Sequence, residues 1–98
     1  MEYKLVRDGS KLTIYVRGAL DATTSKELEA ALEGKLDDVT DLTLDLNGLA
    51  YVSSMGLRLL LVLFKRMEKQ GTMHVVNIGD EVMSLFDITG FSGFMPIE

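Results

Sequence analysis

Several stretches of the chain alternate apolar and polar residues with the two-residue period of a half-buried strand. Tyr3–Arg7 is a short one and predicts an edge strand. Asp8-Gly9-Ser10 is a turn signal. Lys11–Arg17 (KLTIYVR) then sets Leu12, Ile14 and Val16 on one face and Thr13, Tyr15 and Arg17 on the other. The two together predict a hairpin, and Gly18 is expected to end its second strand. Leu42–Leu46 (LTLDL) predicts a central strand and Met73–Ile78 (MHVVNI) a further interior one. Between the central strand and the next helix, Asn47-Gly48 breaks the pattern and Tyr51-Val52 resumes it briefly.

Helical spacing fills the gaps. Leu28, Ala31, Leu32 and Leu36 recur every three to four residues and give one buried stripe. Thr24 with Glu27 has the spacing of a capping box, while Asp21 would cap an earlier start. The longest helix is expected from about Ser54 to Lys69, closed by Gln70-Gly71. Its stripe of Leu57, Leu60, Leu61 and Phe64 is widened by Leu59, Val62 and Leu63. A helix so apolar must be covered on more than one side. A short third helix starts at Gly79 or Asp80, carries Val82, Met83, Leu85 and Phe86, and ends at Thr89-Gly90. Phe91–Ile97 holds a candidate last strand.

The order β-β-α-β-α-β-α predicts an α/β fold: a mixed, mostly parallel sheet of four to five strands with helices packed against it. In such sheets the functional loops gather where strands end and helices begin. Asp21, Asp45, Ser53 and Ser54 all fall there.

Length and composition narrow the picture. Ninety-eight residues suit one domain, 1–98, and 47% apolar residues supply a core. A net charge of −5 disfavours nucleic acid, which needs a basic stripe. With no cysteine there is no disulfide and no thiolate metal site. The polar N-terminus is unlike a signal peptide. The apolar run Leu57–Phe64 is interrupted by Arg58 and falls far short of the ~20 residues of a membrane span. The expectation is a soluble cytoplasmic protein, with no membrane insertion, existing as a monomer or weak dimer.

The candidate chemistry centres on Ser54, at the N-cap or first turn of the long helix. Serine is a good N-cap and needs no other role there. It is also well placed as a phosphoacceptor, because free N–H groups and the positive end of the helix dipole tolerate a phosphate. The added charge of about −1.5 to −2 would fall beside Met55, expected to be an exposed, adaptable contact. Asp21 and Asp45 read either as strand-end caps or as an acidic pocket near Ser54. No nucleophile elbow surrounds the serines, since Val52 stands where a glycine is needed. The one histidine, His74, lies in a strand without triad partners. No ligand spacing for a metal and no glycine-rich phosphate loop occur. Neither catalytic residues, a metal nor a cofactor is expected, and the chain reads as a non-enzyme.

Three stretches together carry a family resemblance. "VRGALDATTSKELEAAL" (16–32), "LTLDLNGLAYVSSMGLRLLL" (42–61) and "VMSLFDITGFSGFMPI" (82–97) resemble, in this order, segments of the anti-sigma factor antagonists of the STAS superfamily. Ala19 stands where the family often has Glu, Phe91 where it has Leu, and Ser53 where an Asp often precedes the phosphorylated serine. The resemblance implies a partner switch. The unmodified protein would bind an anti-sigma factor that is itself a serine kinase, through Asp21, Ser53, Ser54, Met55, Gly56 and Arg58. Phosphorylation of Ser54 would end the complex, and a serine phosphatase would reset it. The alternative within the fold is a non-switching accessory subunit, such as that of a lipid-transport ABC system, in which Ser54 only caps its helix.

Overall fold

A computed structural model describes residues 1–98. The opening hairpin forms as the alternation predicts: β1 (Glu2–Asp8) pairs antiparallel with β2 (Lys11–Leu20), and Gly9 turns the chain with a φ of 61°. Gly18 does not end β2. It takes a φ of 87°, shifts the register, and the strand runs on to Leu20. The extension exists because the chain after β3 (Asp41–Asp45) comes back to it. β3 lies parallel along the first half of β2. After the Asn47-Gly48 interruption, β4 (Leu49–Val52) continues along the same edge and pairs with Gly18–Leu20. Gly18 N donates to Gly48 O at 2.9 Å, so two left-handed glycines face each other across the irregularity.

β5 (Thr72–Val76) pairs parallel with β3. It is the last full strand of the sheet rather than an interior one. The candidate terminal strand contributes one bridge to it, Val75 with Ile97. The sheet order is therefore β1-β2-β3-β5, with β4 beside β2.

The register aligns Leu12, Leu42 and Met73, and next to them Ile14, Leu44 and Val75, as continuous apolar rows across three strands. All six are at most 5% exposed. The reverse face carries Thr13, Thr43 and His74, then Tyr15, Asp45 and Val76, all half-buried or exposed. Two-faced strands of this kind call for one helical layer, on the apolar side.

That layer is α1 (Ala22–Leu32), α2 (Ser54–Gln70) and α3 (Asp80–Thr89). α1 stops at Leu32, a turn short of the apolar stripe; Gly34 takes a φ of 75° and Leu36 is buried from the following loop. In α2, Leu57, Leu59, Leu60, Leu63 and Met67 are buried, while Val62 stays 48% exposed. The cover on its second side comes from α1 and from Phe94, just past the C-terminal turn at Phe91–Gly93, whose ring packs tilted at 58° against Phe64 with ring centres 5.3 Å apart. α3 ends as its Thr-Gly pair predicts, with Gly90 left-handed at a φ of 84°. Val82 and Phe86 are its core anchors.

Candidate functional site

β2 and β4 run parallel and end level, with Leu20 opposite Val52. Each is followed at once by a helix cap. Asp21 caps α1 and Ser53 caps α2, so two helix N-termini open side by side at one end of the sheet. Ser53 N donates to Leu20 O at 2.9 Å and ties the two ends together.

Asp21, not Thr24, is the α1 cap. Its Oδ1 accepts from Thr23 N at 3.0 Å, Thr24 N at 2.9 Å and the Thr24 hydroxyl at 3.0 Å. Thr24 returns the bond by accepting from Asp21 N at 2.8 Å, and its hydroxyl also lies 2.8 Å from Ala19 O. A capping box forms, but between Asp21 and Thr24 rather than between Thr24 and Glu27: Thr24 is its third helical residue and not its cap. Three donors on one carboxylate, Thr24 N first among them, hold the Asp21 pKa below its ordinary 3.8.

On α2 the division of labour differs from a Ser54 cap. Ser53 Oγ accepts from Gly56 N at 3.3 Å, and Ser54 is the first helical residue. Ser53 is half-buried and Ser54 exposed. In the first turn of a helix the N–H groups lack intrahelical acceptors. Gly56 N is taken by Ser53, which leaves those of Ser54 and Met55 without intrahelical acceptors in the same turn as the Ser54 hydroxyl. Ser53 thus supplies the cap acceptor without adding a negative charge.

Gly56 is buried because the first turn of α2 sits directly on the strand ends. A Cβ there would lie 2.7 Å from both Leu20 O and Val52 Cγ1. Met55 is 36% exposed, as expected for the loop-to-helix junction. Arg58 is exposed one turn further along α2.

Asp45 does not join this group. Its Oδ1 accepts from Asn47 N at 3.0 Å and its Oδ2 from Asn77 Nδ2 at 3.0 Å, so it ties the β3–β4 loop to the residue after β5. His74 sits on β5 between Asp41, at 3.2 Å, and the Glu98 carboxylate. It is two strands removed from β2. What sequence reasoning missed is a cleft of about 170 Å³ between α1 and α2, lined by Ser25, Lys26 and Glu29 opposite Met55, Arg58 and Val62. The only signal for it was polar residues on α1 at positions flanking the buried stripe.

No helix is long and apolar enough to cross a membrane. Comparison with known proteins places this geometry. An anti-sigma-B factor antagonist of Listeria monocytogenes is 31% identical over 94 residues, 94% of this chain and 82% of that protein. The putative anti-sigma factor antagonist BtrV of Bordetella bronchiseptica is 31% identical over 84 residues, 84% of this chain and 72% of that one. The crystal structure of an anti-sigma factor antagonist from Mycobacterium paratuberculosis superposes with a TM-score of 0.85 at 23% identity, covering 98% of this chain and 83% of that one. The Bacillus cell fate determinant SpoIIAA in its phosphorylated form gives 0.77 at 19% identity, covering 99% and 91%. The last two likenesses speak to the fold. The STAS domain model matches residues 3–98, and the chain belongs to the STAS domain family.

Proposed function

We propose that the protein is an anti-sigma factor antagonist that docks an anti-sigma serine kinase through the paired helix caps and is released by phosphorylation of Ser54. The observation that carries this reading is the setting of Ser54. Its hydroxyl is exposed at the first position of α2, it caps nothing, and it stands beside two N–H groups without intrahelical acceptors. A phosphate fits there without disturbing the core. The docking patch comprises Asp21, Ser53, Ser54, Met55, Gly56 and Arg58. Asp21 and Ser53 hold the two helix starts level, Gly56 lets α2 approach the strands, and Met55 and Arg58 meet the partner. Relatives at 31% identity named as anti-sigma factor antagonists support the assignment of partner class.

The release has a physical basis. A charge of about −1.5 to −2 placed in a contact patch must be desolvated, costing on the order of 1–3 kcal/mol of binding, and 1.4 kcal/mol is tenfold in affinity. The test is incubation with the host's anti-sigma kinases and ATP, read by intact mass. One phosphoryl group, a gain of about 80 Da that disappears in Ser54→Ala, is the expected result. No gain with any of them would return the protein to the class of non-switching STAS subunits.

A further inference from the structure

The cleft between α1 and α2 has three properties that no core requirement explains. Ser25 is only 4% exposed, lines the cleft, and its Oγ has no hydrogen-bond partner. Buried hydroxyls are ordinarily satisfied, and this one lies closed off beneath the cleft surface, one χ1 rotation from offering its proton to an occupant. Second, Lys26 and Arg58 stand on opposite walls, and neither takes part in an ion pair; Arg66, further along α2, is held by Asp37 at 2.9 Å. Against them stands one acid, Glu29. The cleft is thus locally basic on a chain whose net charge is −5. Third, the remaining walls are aliphatic, with Met55 36% and Val62 48% exposed.

We infer that this cleft receives an acidic side chain of the partner protein, seated between Lys26 and Arg58, with the Ser25 hydroxyl turned outward by a χ1 rotation to donate to its carboxylate and a neighbouring apolar side chain resting on Met55 and Val62. The inference rests on the reading of the Ser54 patch as the docking face, with which the cleft is continuous through Met55 and Arg58. It also specifies how modification of Ser54 acts. Helical side chains lean towards the N-terminus, and residues four apart share a face. Arg58 therefore leans back towards Ser54. A phosphate on Ser54 captures the Arg58 guanidinium and withdraws it from the partner's carboxylate. The switch then works by competition for one cation as well as by repulsion.

The experiment is calorimetric titration of the full chain with the host's anti-sigma kinase, comparing Lys26→Glu, Arg58→Glu, Ser25→Ala and Ser54→Asp with the distant controls Lys65→Glu and Lys69→Glu. Each charge reversal in the cleft is expected to weaken binding by about tenfold or more, and each control by less than about twofold. Ser25→Ala removes an unsatisfied buried hydroxyl, so it should melt no lower than wild type and yet bind more weakly. Such a split is not produced by a merely structural serine. If Ser54→Asp abolishes binding while the three cleft variants bind as wild type, the cleft proposal is overturned and the Ser54 gate stands. If the cleft variants fail and Ser54→Asp binds normally, the cleft stands and the gate falls. Absence of wild-type binding to every such kinase overturns both.

Discussion

Replacing Gly56 by alanine tests the way the site is built. Gly56 lies in the first turn of α2, where alanine is intrinsically the better helix former by up to ~1 kcal/mol. Propensity alone therefore predicts stabilisation. Packing predicts the opposite. The new methyl would sit 2.7 Å from Leu20 O and Val52 Cγ1 and 3.1 Å from Leu20 Cγ. Comfortable carbon contacts are about 3.5–4.0 Å, so α2 must lift by most of an ångström. Leu20 O cannot yield freely, because it accepts from Ser53 N at 2.9 Å and so holds β4 to β2. Overpacking of a tight contact costs about 1–3 kcal/mol, and a clash with backbone that cannot yield falls in the upper half of that range, about 2–3 kcal/mol, leaving a net loss of about 1–2 kcal/mol once ~1 kcal/mol of helix propensity is subtracted. At roughly 4–8 °C per kcal/mol for a domain of this size, the melting temperature should fall by about 5–15 °C. Urea and thermal melts followed by circular dichroism measure it. Gly93→Ala, whose methyl would meet nothing within 4 Å, is the matched control and should stay within about 0.5 kcal/mol of wild type. A Gly56→Ala protein that melts at or above wild type would refute the argument: the helix mouth would then be compliant, and Gly56 would not hold Ser54 in place.

Two further outcomes separate the neighbouring roles. Ser53→Ala should cost about 0.5–1 kcal/mol in urea unfolding, the low end for a cap because its bond is 3.3 Å long, whereas Ser54→Ala should change stability by less than about 0.5 kcal/mol. Equal losses in the two variants would contradict the assignment of the cap to Ser53. For Asp21 the sign follows from a folded pKa held below the ordinary 3.8 by the Thr24 N–H, the Thr24 hydroxyl and the Thr23 N–H. The stabilisation from its ionised form is complete above that value and is lost as pH falls through the lower folded pKa. Asp21→Asn, which keeps a cap acceptor, should trail wild type at neutral pH and converge with it in acid; a gap that persists unchanged in acid would remove the charge from the account.

Much was legible before any coordinates. Period-two patterning in KLTIYVR and LTLDL located β2 and β3, because a strand with one buried face must alternate. The apolar run after Ser54 located α2 to within a residue of its end, because Gln70-Gly71 is a strong stop. The short resumption at Tyr51-Val52 proved to be β4, although its four residues carry little pattern of their own. Ser54 at the mouth of α2 followed from local chemistry alone.

Other features depend on contacts between distant segments. Gly18 looks like a terminator, but β4 supplies partners that let β2 continue past it. Asp21 and Thr24 were equivalent cap candidates until backbone geometry chose between them. Asp45 shares a sequence logic with Asp21, yet loop packing aims it at Asn47 and Asn77. The α1–α2 cleft joins residues some thirty positions apart, and no local pattern encodes which faces of two helices meet. Sequence determined which segments form helices and strands, because burial of one face imposes a period that each segment carries within itself. Only the tertiary structure decided which strand ends stand level and which side chains share a cleft, because register and helix docking are set by long-range packing that no single segment contains.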